Sequence, residues 1–493
     1  MVPVTEWLLL LIFFVAVIAS VLNTNKSIRQ MLAGVLLLVV VSAVTIGEYR
    51  TVLLPLMVAT VLTALSLWFV KPGGKPNWVR GTGKLLVLVG SATVAIIPVI
   101  FHIPVLPELS GDHQVGHRVF NWVDPSRQEV LTDNPKDMRE LAVHFWYPAE
   151  VGVRATTEPY LTPAAARGSL LSLFPQMMFM ADSLELGQTR HYRDAPLSDA
   201  AQQYPVLIFS HGYSWSSELH QALLAAAASR GYVVVSIDHT WEAASTPLAN
   251  GSRANFVDVS HPEGTDAEQK RLIEAMEKAQ ATSNNLSDVD REQLWAEAFA
   301  IHPFHTEGVF DRWLQDTVFV VDELEGGDLL PVEFMGRINT QQLGIYGMSG
   351  GGSTAGSFCQ LDARCMAGVN LDGTQFPPFS ASSEFSMPFM YILADQSRDT
   401  ADNRDLVVAR QPQRIYRVEI ANSTHGSYAD FPLWNRLLDR SVSGGQGSGR
   451  RLIKVINDYT LAFFDKHMLG KHSALLTLDS GNDYPEAVLQ IRN

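Results

Sequence analysis

A short glycine-rich segment, Gly347-Met-Ser349-Gly-Gly351, has the residue types of a nucleophilic serine held in a sharp turn. An apolar run precedes this segment, and small residues through Gly356 follow it. A serine between glycines at a strand-to-helix turn presents its hydroxyl at the edge of a sheet, and the glycines let neighbouring backbone pass close by. The competing interpretation, a phosphate-binding turn, lacks the lysine that follows such loops. The pattern predicts Ser349 as the nucleophile of an acyl transfer.

A serine at neutral pH needs a base, which follows the nucleophile along the chain in this architecture. Three histidines follow Ser349: His425, His467 and His472. His467 ends an apolar helical pattern just before Gly470, where a cation suits the helix terminus, and His472 lies in the tail. His425 lies in a loop directly after an apolar strand pattern, so we predict it as the catalytic base.

The acid that would orient this base has two candidates. Asp372 ends the apolar run Ala367 to Leu371, and Asp395 ends the run Phe389 to Leu393, with Asp399 close behind. Either carboxylate could hold an imidazole in the right tautomer. Position along the chain does not separate them.

The tetrahedral intermediate of acyl transfer needs two backbone N–H donors for its oxyanion. One comes from the residue after the nucleophile, which is Gly350. The other comes from an earlier strand-to-helix loop, and the segment Ser210-His211-Gly212-Tyr213 follows the apolar run Val206 to Phe209. We predict the Tyr213 N–H as the second donor and expect His211 to hold the loop in shape.

Alternating short apolar runs and helical patterns must position these residues. Strand patterns lie at Leu141–Trp146, Val206–Phe209, Val233–Ile237, Leu343–Tyr346, Ala367–Leu371, Phe389–Leu393 and Ile415–Ile420, and helix patterns lie at Leu219–Arg230, Arg312–Leu324, Gly352–Gln360 and Leu452–Met468. This alternation predicts an α/β domain over residues 107–493 with a mostly parallel sheet covered on both faces. The polar stretch 251–310, which contains a helical pattern from Asp266 to Ala281, is interpreted as an insertion, either a lid or a surface excursion.

Residues 1–106 have a different composition. Four apolar runs without Asp, Glu, Lys or Arg lie at about 7–22, 31–46, 52–70 and 85–106, lengths near the ~17–25 residues of a membrane-spanning helix. We predict a four-helix transmembrane region and read the first run as retained. The basic residues lie mainly between runs one and two and between runs three and four, so the N-terminus and the α/β domain are expected outside the cytoplasm, across a bacterial inner membrane.

Charge and cysteine content exclude other functions. Residues 1–105 carry seven Lys/Arg against two Glu, a net charge of +5, which leaves −19 for the rest of a chain whose total is −14. An acidic domain repels phosphate backbones, so nucleic acid is excluded as a partner. Two cysteines cannot supply a disulfide scaffold or a multi-cysteine zinc site. Cys359 and Cys365 could form a disulfide or remain as two buried thiols.

These segments resemble the plasma-type (isoform II) platelet-activating factor acetylhydrolases and their bacterial α/β-hydrolase relatives. The likeness covers nearly all of residues 115–475 and runs through the segments 139–148, 205–212, 231–239, 347–351, 368–373, 423–431 and 461–464. In that family the acid follows the strand after the nucleophile helix, so the resemblance implies Asp372. It also implies an α/β-hydrolase fold and a serine esterase without metal or cofactor, acting on phospholipids with short or oxidised acyl chains.

The sequence departs from this family at two positions of the nucleophile motif. Met348 replaces the usual histidine, and Gly350 replaces a bulkier residue, which changes the floor of the acyl pocket but keeps the nucleophile and its N–H donor. A general carboxylesterase, similar to dienelactone hydrolases or polyester-cleaving enzymes, is therefore an alternative. A catalytically inactive hydrolase-like scaffold on membrane helices is a third, although a complete Ser, Asp and His set argues against it.

Overall fold

The computed structural model describes residues 3–21, 25–45, 50–69, 77–260, 270–271, 273–275, 277–278, 287–379, 385–395, 415–445, 448–477 and 484–492. The strands are β1 (Gln114–Gln128), β2 (Met138–Ala149), β3 (His191–Arg193), β4 (Tyr204–Ser210), β5 (Val233–Asp238), β6 (Ser245–Pro247), β7 (Arg253–Asn255), β8 (Ile338–Met348), β9 (Ala367–Leu371), β10 (Phe389–Ala394), β11 (Ile415–Ile420) and β12 (Ala487–Arg492). The helices are α1 (Val4–Val21), α2 (Lys26–Thr45), α3 (Leu54–Phe69), α4 (Asn77–Ile100), α5 (Pro163–Leu173), α6 (Ala181–Glu185), α7 (Gln221–Ser229), α8 (Asp288–Ala300), α9 (Pro303–Thr306), α10 (Val309–Leu324), α11 (Gly350–Leu361), α12 (Phe431–Trp434), α13 (Arg436–Val442) and α14 (Gly449–Leu469).

Ten strands form one sheet in the order β12-β11-β10-β9-β8-β4-β5-β2-β1-β3. The six strands from β11 to β5 are mutually parallel, and β2 and β12 run antiparallel to their neighbours in this block. Their carboxyl ends therefore share one edge, which is where loops of an α/β sheet build a site. The predicted mostly parallel sheet is confirmed.

Alternate residues of the central strands supply two apolar cores. On β4, Val206 and Ile208 join one buried cluster, while Leu207 and Phe209 join the cluster on the opposite face. Successive side chains of a strand point to opposite faces of the sheet, which explains this division. Because both faces are covered, the strand is apolar throughout. The first cluster includes side chains of α10, and the second includes side chains of α7 and α14.

The segment 251–310 packs onto the sheet domain in its second half. Trp295 and Phe299 of α8 are buried in the same cluster as the strand side chains. The helix expected over Asp266–Ala281 lies partly outside the described residues, and the described residues between 270 and 278 are helical. Near the start of the segment, the Val259 N–H donates to the Tyr213 hydroxyl at 2.8 Å.

Four helices, α1 to α4, form the N-terminal region, as the apolar runs predicted. Only α3, with its preceding turn, gives a window long and apolar enough to cross a membrane, Thr51–Trp68, among the described residues. Shorter apolar stretches lie at Glu6–Ile18 and Val89–Ile100. A transmembrane role for all four helices is not confirmed.

One end of these helices is joined to the α/β domain by buried polar contacts. Arg50, between α2 and α3, pairs with Glu6 and donates to the Phe101 carbonyl and, at 3.1 Å, to the Ser183 hydroxyl. Apolar side chains of α1 and α3 and of α5, α6 and α12 share a single buried cluster. The helices and the domain therefore have a continuous core.

Candidate active site

Ser349 lies at the turn between β8 and α11 with a left-handed backbone, φ 54° and ψ −116°. This conformation is strained for a residue with a side chain and is typical of a nucleophile elbow. A Cβ on Gly347 would lie 2.2 Å from the Gly351 carbonyl carbon, and one on Gly351 would lie 1.9 Å from the Ser210 carbonyl oxygen. The glycines of the motif are therefore required by close backbone approach.

His425 is paired with Asp372 at the same edge of the sheet. The His425 Nδ1 lies 2.7 Å from Asp372 Oδ2, and Asp372 Oδ1 accepts a hydrogen bond from the Ala394 N–H at 2.9 Å. Asp372 is buried, whereas 48% of the His425 side chain is exposed, so one face of the imidazole is open to a substrate. The Ser349 N–H donates to the Leu371 carbonyl at 2.9 Å, which fixes the serine beside the end of β9.

Asp395, the other candidate acid, has a different set of partners. Its Oδ2 accepts from the Asn422 N–H at 3.0 Å, and its own N–H donates to the Ser423 hydroxyl at 3.3 Å. These bonds hold the loop that leads from β11 to His425. Asp399 lies outside the described residues.

The two other late histidines lie away from this pair. His467 is in the last turn of α14, with its ring 5.3 Å from the ring of Tyr416 and 4.7 Å from that of Phe463. His472 is exposed in the segment after that helix. Of the three histidines that follow Ser349, only His425 lies at the carboxyl edge of the sheet.

The predicted oxyanion loop lies against Ser349. A Cβ on Gly212 would lie 3.4 Å from the Ser349 Cβ, so the residue before Tyr213 packs directly against the nucleophile. Gly350 is the first residue of α11, where N–H groups have no partner in a preceding turn. His211 is buried, and burial lowers the pKa of its imidazole. It accepts from the His239 N–H at 3.0 Å and donates through Nδ1 to the Gly212 carbonyl at 2.7 Å.

A buried ion network supports this loop from behind. The Arg139 guanidinium donates to both oxygens of Asp316, at 3.1 and 2.7 Å, and Asp316 Oδ2 lies 2.9 Å from His239 Nδ1. The other nitrogen of His239 lies 2.9 Å from the hydroxyl of Ser210, the last residue of β4. Burial lowers the pKa of His239 to about 3, so the ring is neutral and relays hydrogen bonds.

Sequence reasoning left the substrate-binding residues unassigned, and the structure supplies an aromatic wall beside Gly350. A Cβ on Gly350 would lie 3.0 Å from the Phe310 ring and 3.1 Å from the Trp313 ring. Phe304 joins Phe310 and Tyr213 at ring-centroid distances of 5.4 and 4.6 Å. We call Tyr213, Phe304, Phe310, Trp313 and Phe376 the aromatic wall. The glycine at position 350 could have predicted this wall from the sequence, because large neighbouring side chains must fill the space that a side chain at 350 would occupy.

Several known proteins are similar to this chain in sequence or in fold. A sequence model of the family described as platelet-activating factor acetylhydrolase, isoform II, matches residues 101–480. The platelet-activating factor acetylhydrolase of Cavia porcellus is 23% identical over 311 residues, covering 59% of this chain and 65% of that protein. The probable 1-alkyl-2-acetylglycerophosphocholine esterase of Arthroderma benhamiae is 23% identical over 442 residues, covering 83% and 99% respectively. The match thus spans just under two thirds of the first relative and nearly all of the second.

A solved structure, the ferulic acid esterase from Streptomyces cinnamoneus, is similar with a TM-score of 0.59 and 22% identity. The likeness covers 79% of this chain and 99% of that one. At this identity it shows a common fold.

Proposed function

The chain belongs to the isoform II platelet-activating factor acetylhydrolase family, and on this premise we propose that it is a membrane-anchored serine hydrolase of carboxylic esters with an α/β-hydrolase domain. The observation that carries the proposal is the 2.7 Å contact between His425 and the buried Asp372, beside the strained turn at Ser349. Nucleophile, acid and base follow in the chain order of this enzyme class. A binding scaffold has no chemical need for this set.

The proposed reaction proceeds through an acyl-enzyme. His425 Nε2 takes the proton of the Ser349 hydroxyl as its oxygen bonds to the ester carbonyl carbon, and the backbone N–H groups of Tyr213 and Gly350 stabilise the oxyanion. The imidazolium, oriented by Asp372, then gives its proton to the departing alkoxide as the carbon–oxygen bond breaks. A water molecule repeats the sequence on the acyl group, which leaves as a carboxylic acid and frees Ser349.

We assign the substrate to phospholipids with short or oxidised acyl chains. The aromatic wall closes one side of the serine, since Phe310 and Trp313 occupy the space beside Gly350. Such a wall leaves little depth for a long acyl chain. The names of the Cavia porcellus and Arthroderma benhamiae relatives, which refer to acetylated glycerophospholipids, support the same class. The second candidate, a general carboxylesterase, is favoured by the partly exposed rings of Tyr213 and Phe304, since aromatic faces also suit planar acyl groups.

We further propose that α1 to α4 lie in a membrane, with the α/β domain on its extracytoplasmic side. The described residues of these helices expose many large apolar side chains, namely Trp7, Leu8, Leu11, Phe14, Val15, Ile18, Ile28, Met31, Val35, Leu37, Leu38, Val41, Leu54, Val58, Leu62, Leu65, Trp68, Val89 and Ile96. A surface of this size is covered by lipid or protein in a stable molecule.

The contacts with the domain support the proposed orientation. Residues Glu6, Arg50 and Phe101 meet at the domain side, so the opposite side holds the end of α1 at Val21 and the start of α2, which carries Lys26 and Arg29. Basic loops remain in the cytoplasm. The disulfide between Cys359 and Cys365 also suits an oxidising compartment.

A fluorophosphonate probe tests the nucleophile without a choice of substrate. The purified chain in detergent should be labelled, and Ser349→Ala and His425→Ala should each abolish labelling. His472→Ala, which removes an exposed histidine after α14, is the matched control and should label like wild type. Labelling of Ser349→Ala, or none of folded wild type, contradicts the proposed site.

A panel of esters tests the substrate class. Glycerophosphocholine esters with acetyl, glutaryl and palmitoyl groups at the sn-2 position are compared with the corresponding ethyl esters and with ethyl ferulate. We expect kcat/KM to fall steeply with acyl length and to depend on the glycerophospholipid headgroup. Indifference to the headgroup supports the general carboxylesterase instead.

Protease access tests the membrane orientation. In spheroplasts, an added protease should reach an epitope after residue 477, whereas a site engineered near Lys75 should be cut only in inverted vesicles. Extraction of the chain by alkaline carbonate would exclude the proposed membrane region.

A further inference from the structure

Two histidines and a glutamate form a buried cluster at the sheet edge farthest from β12. His117 lies on β1, His191 on the adjacent edge strand β3, and Glu158 in the segment before α5. The His117 Nδ1 is 2.8 Å and the His191 Nε2 is 3.5 Å from the same oxygen, Glu158 Oε2. One ligand atom from each residue lies within 4.8 Å of the others. Tetrahedral zinc with bonds of about 2.0–2.1 Å needs donor separations of about 3.3 Å, which these distances bracket.

Buried polar groups continue from His117 into the sheet. His117 Nε2 lies 3.2 Å from His144 Nδ1, and His144 Nε2 faces the buried Asp238 carboxylate at 3.4 Å. With an ion on Nδ1, the Nε2 proton of His117 would be directed at His144, and the proton on the far nitrogen of His144 at Asp238. The second nitrogen of His117 therefore has a partner that would hold the ring in place, as is usual for metal-binding histidines.

Burial and neighbours prepare the three side chains as ligands. His117, Glu158 and His191 are all buried, so an ion held between them would be shielded from water. Glu158 Oε1 is held by Arg193, which leaves Oε2 to the histidines. Arg193 is itself 56% exposed, so its charge stays solvated. Trp146 stacks on His117 with ring centroids 4.3 Å apart and fixes the ring plane.

We propose that His117, Glu158 and His191 bind one divalent transition-metal ion, of which zinc best suits two imidazoles and one carboxylate. The ion is structural. It joins the three-residue edge strand β3 to β1 and to the segment at Glu158, in addition to the Glu158 N–H bond to the His191 carbonyl at 3.0 Å. β1 is four strands from β8 in the sheet, about 19 Å away at ~4.8 Å per strand, so the ion takes no part in ester chemistry.

Metal content and thermal stability of the full-length chain in detergent test this site. The chain is expressed with added zinc, gel-filtered, and analysed by mass spectrometry for metals. Wild type should carry about one zinc per chain. After removal of the ion with a chelator, added ZnCl2 should raise Tm by at least about 2 °C, and CoCl2 should give the visible absorption of four-coordinate cobalt. Fluorophosphonate labelling at low temperature should stay within about twofold, which separates this test from that of the active site.

The variants are Glu158→Gln and His191→Gln, each of which should lower bound zinc to less than a tenth of the wild-type content and remove the Tm response. His472→Gln, which removes an exposed histidine elsewhere, should keep both. If the variants do not fold, the zinc and cobalt titrations of wild type decide alone. The proposal is overturned if wild type carries less than about a tenth of an ion per chain and its Tm does not respond to added metal, or if folded variants retain the ion.

Discussion

Replacing Asp372 by asparagine isolates the function of the buried carboxylate. The Ala394 N–H donates to Asp372 Oδ1, and an asparagine side chain keeps this bond only by placing its carbonyl oxygen there. The amide NH2 then takes the position of Oδ2, 2.7 Å from His425 Nδ1. Because an NH2 group donates, Nδ1 must accept, and the single proton of the neutral imidazole moves to Nε2. That nitrogen can then no longer take the proton of Ser349.

The expected loss is about 10³- to 10⁴-fold in kcat, because the wrong tautomer is favoured and the imidazolium loses its charged partner. At about 1.4 kcal/mol per tenfold, this is about 4–5.5 kcal/mol of transition-state stabilisation. KM should change little, since Asp372 is buried and does not meet the substrate. The free energy of unfolding should also change little, because asparagine has the same shape and keeps the bond to Ala394.

The assay is hydrolysis of p-nitrophenyl acetate, followed together with the rate of fluorophosphonate labelling. Asp395→Asn is the matched control: it changes an acid at the end of the next strand whose oxygen accepts from the Asn422 N–H. We expect this variant to keep at least a tenth of the wild-type kcat. A full loss in Asp395→Asn with Asp372→Asn within tenfold of wild type would refute the assignment.

Three further predictions concern stability. Arg139→Met leaves the Asp316 carboxylate buried without its main cation, so we expect the free energy of unfolding to fall by about 3–5 kcal/mol. This should appear as a fall in Tm of at least about 6 °C. An unchanged Tm would show that the network does not stabilise the fold. Burial raises the pKa of Asp430 to about 8, so the native state keeps a proton that the unfolded state releases above about pH 4. Stability from this group is therefore fully present below about pH 4 and is lost progressively as pH rises to about 8, at up to ~1.4 kcal/mol per unit, and Asp430→Asn should flatten a plot of Tm against pH between 4 and 8. Cys359→Ser removes the disulfide to Cys365, six residues along the chain, and should lower the free energy of unfolding in denaturant by about 2 kcal/mol. If a reductant does not change the free energy of unfolding of wild type, the two cysteines are free thiols.

The sequence predicted the central strands well and the edges of the sheet poorly, for a physical reason. The runs at Ala367–Leu371 and Ile415–Ile420 coincide with β9 and β11, because strands buried on both faces are apolar throughout. β1 was missed because much of it is only partly buried and polar residues such as Arg118 and Asn121 interrupt its apolar pattern. β3 has only three residues, too few for any periodic signal.

The residues of the candidate site also differ in how far the sequence could predict them. Ser349 and His425 could be assigned because a motif and a strand-to-loop position are local features of the chain. Asp372 and Asp395 both end buried parallel strands, and their distinction depends on how the loop after β11 folds back over them. The histidine cluster gave no sequence signal, since its members are far apart along the chain and meet only through the pairing of β1 with β3.

The N-terminal helices contribute to the environment of His425, the proposed catalytic base. Leu9, Phe13 and Leu56 share a buried cluster with Phe431 and with Trp215, which packs partly buried against it. The Trp215 ring lies 4.9 Å from that of Phe431 and 5.9 Å from the imidazole of His425. An apolar core is close-packed, so a shift in any of these side chains is felt by its neighbours. Residues 1–106 are therefore part of the support of the site, and a chain without them would expose apolar surface close to His425.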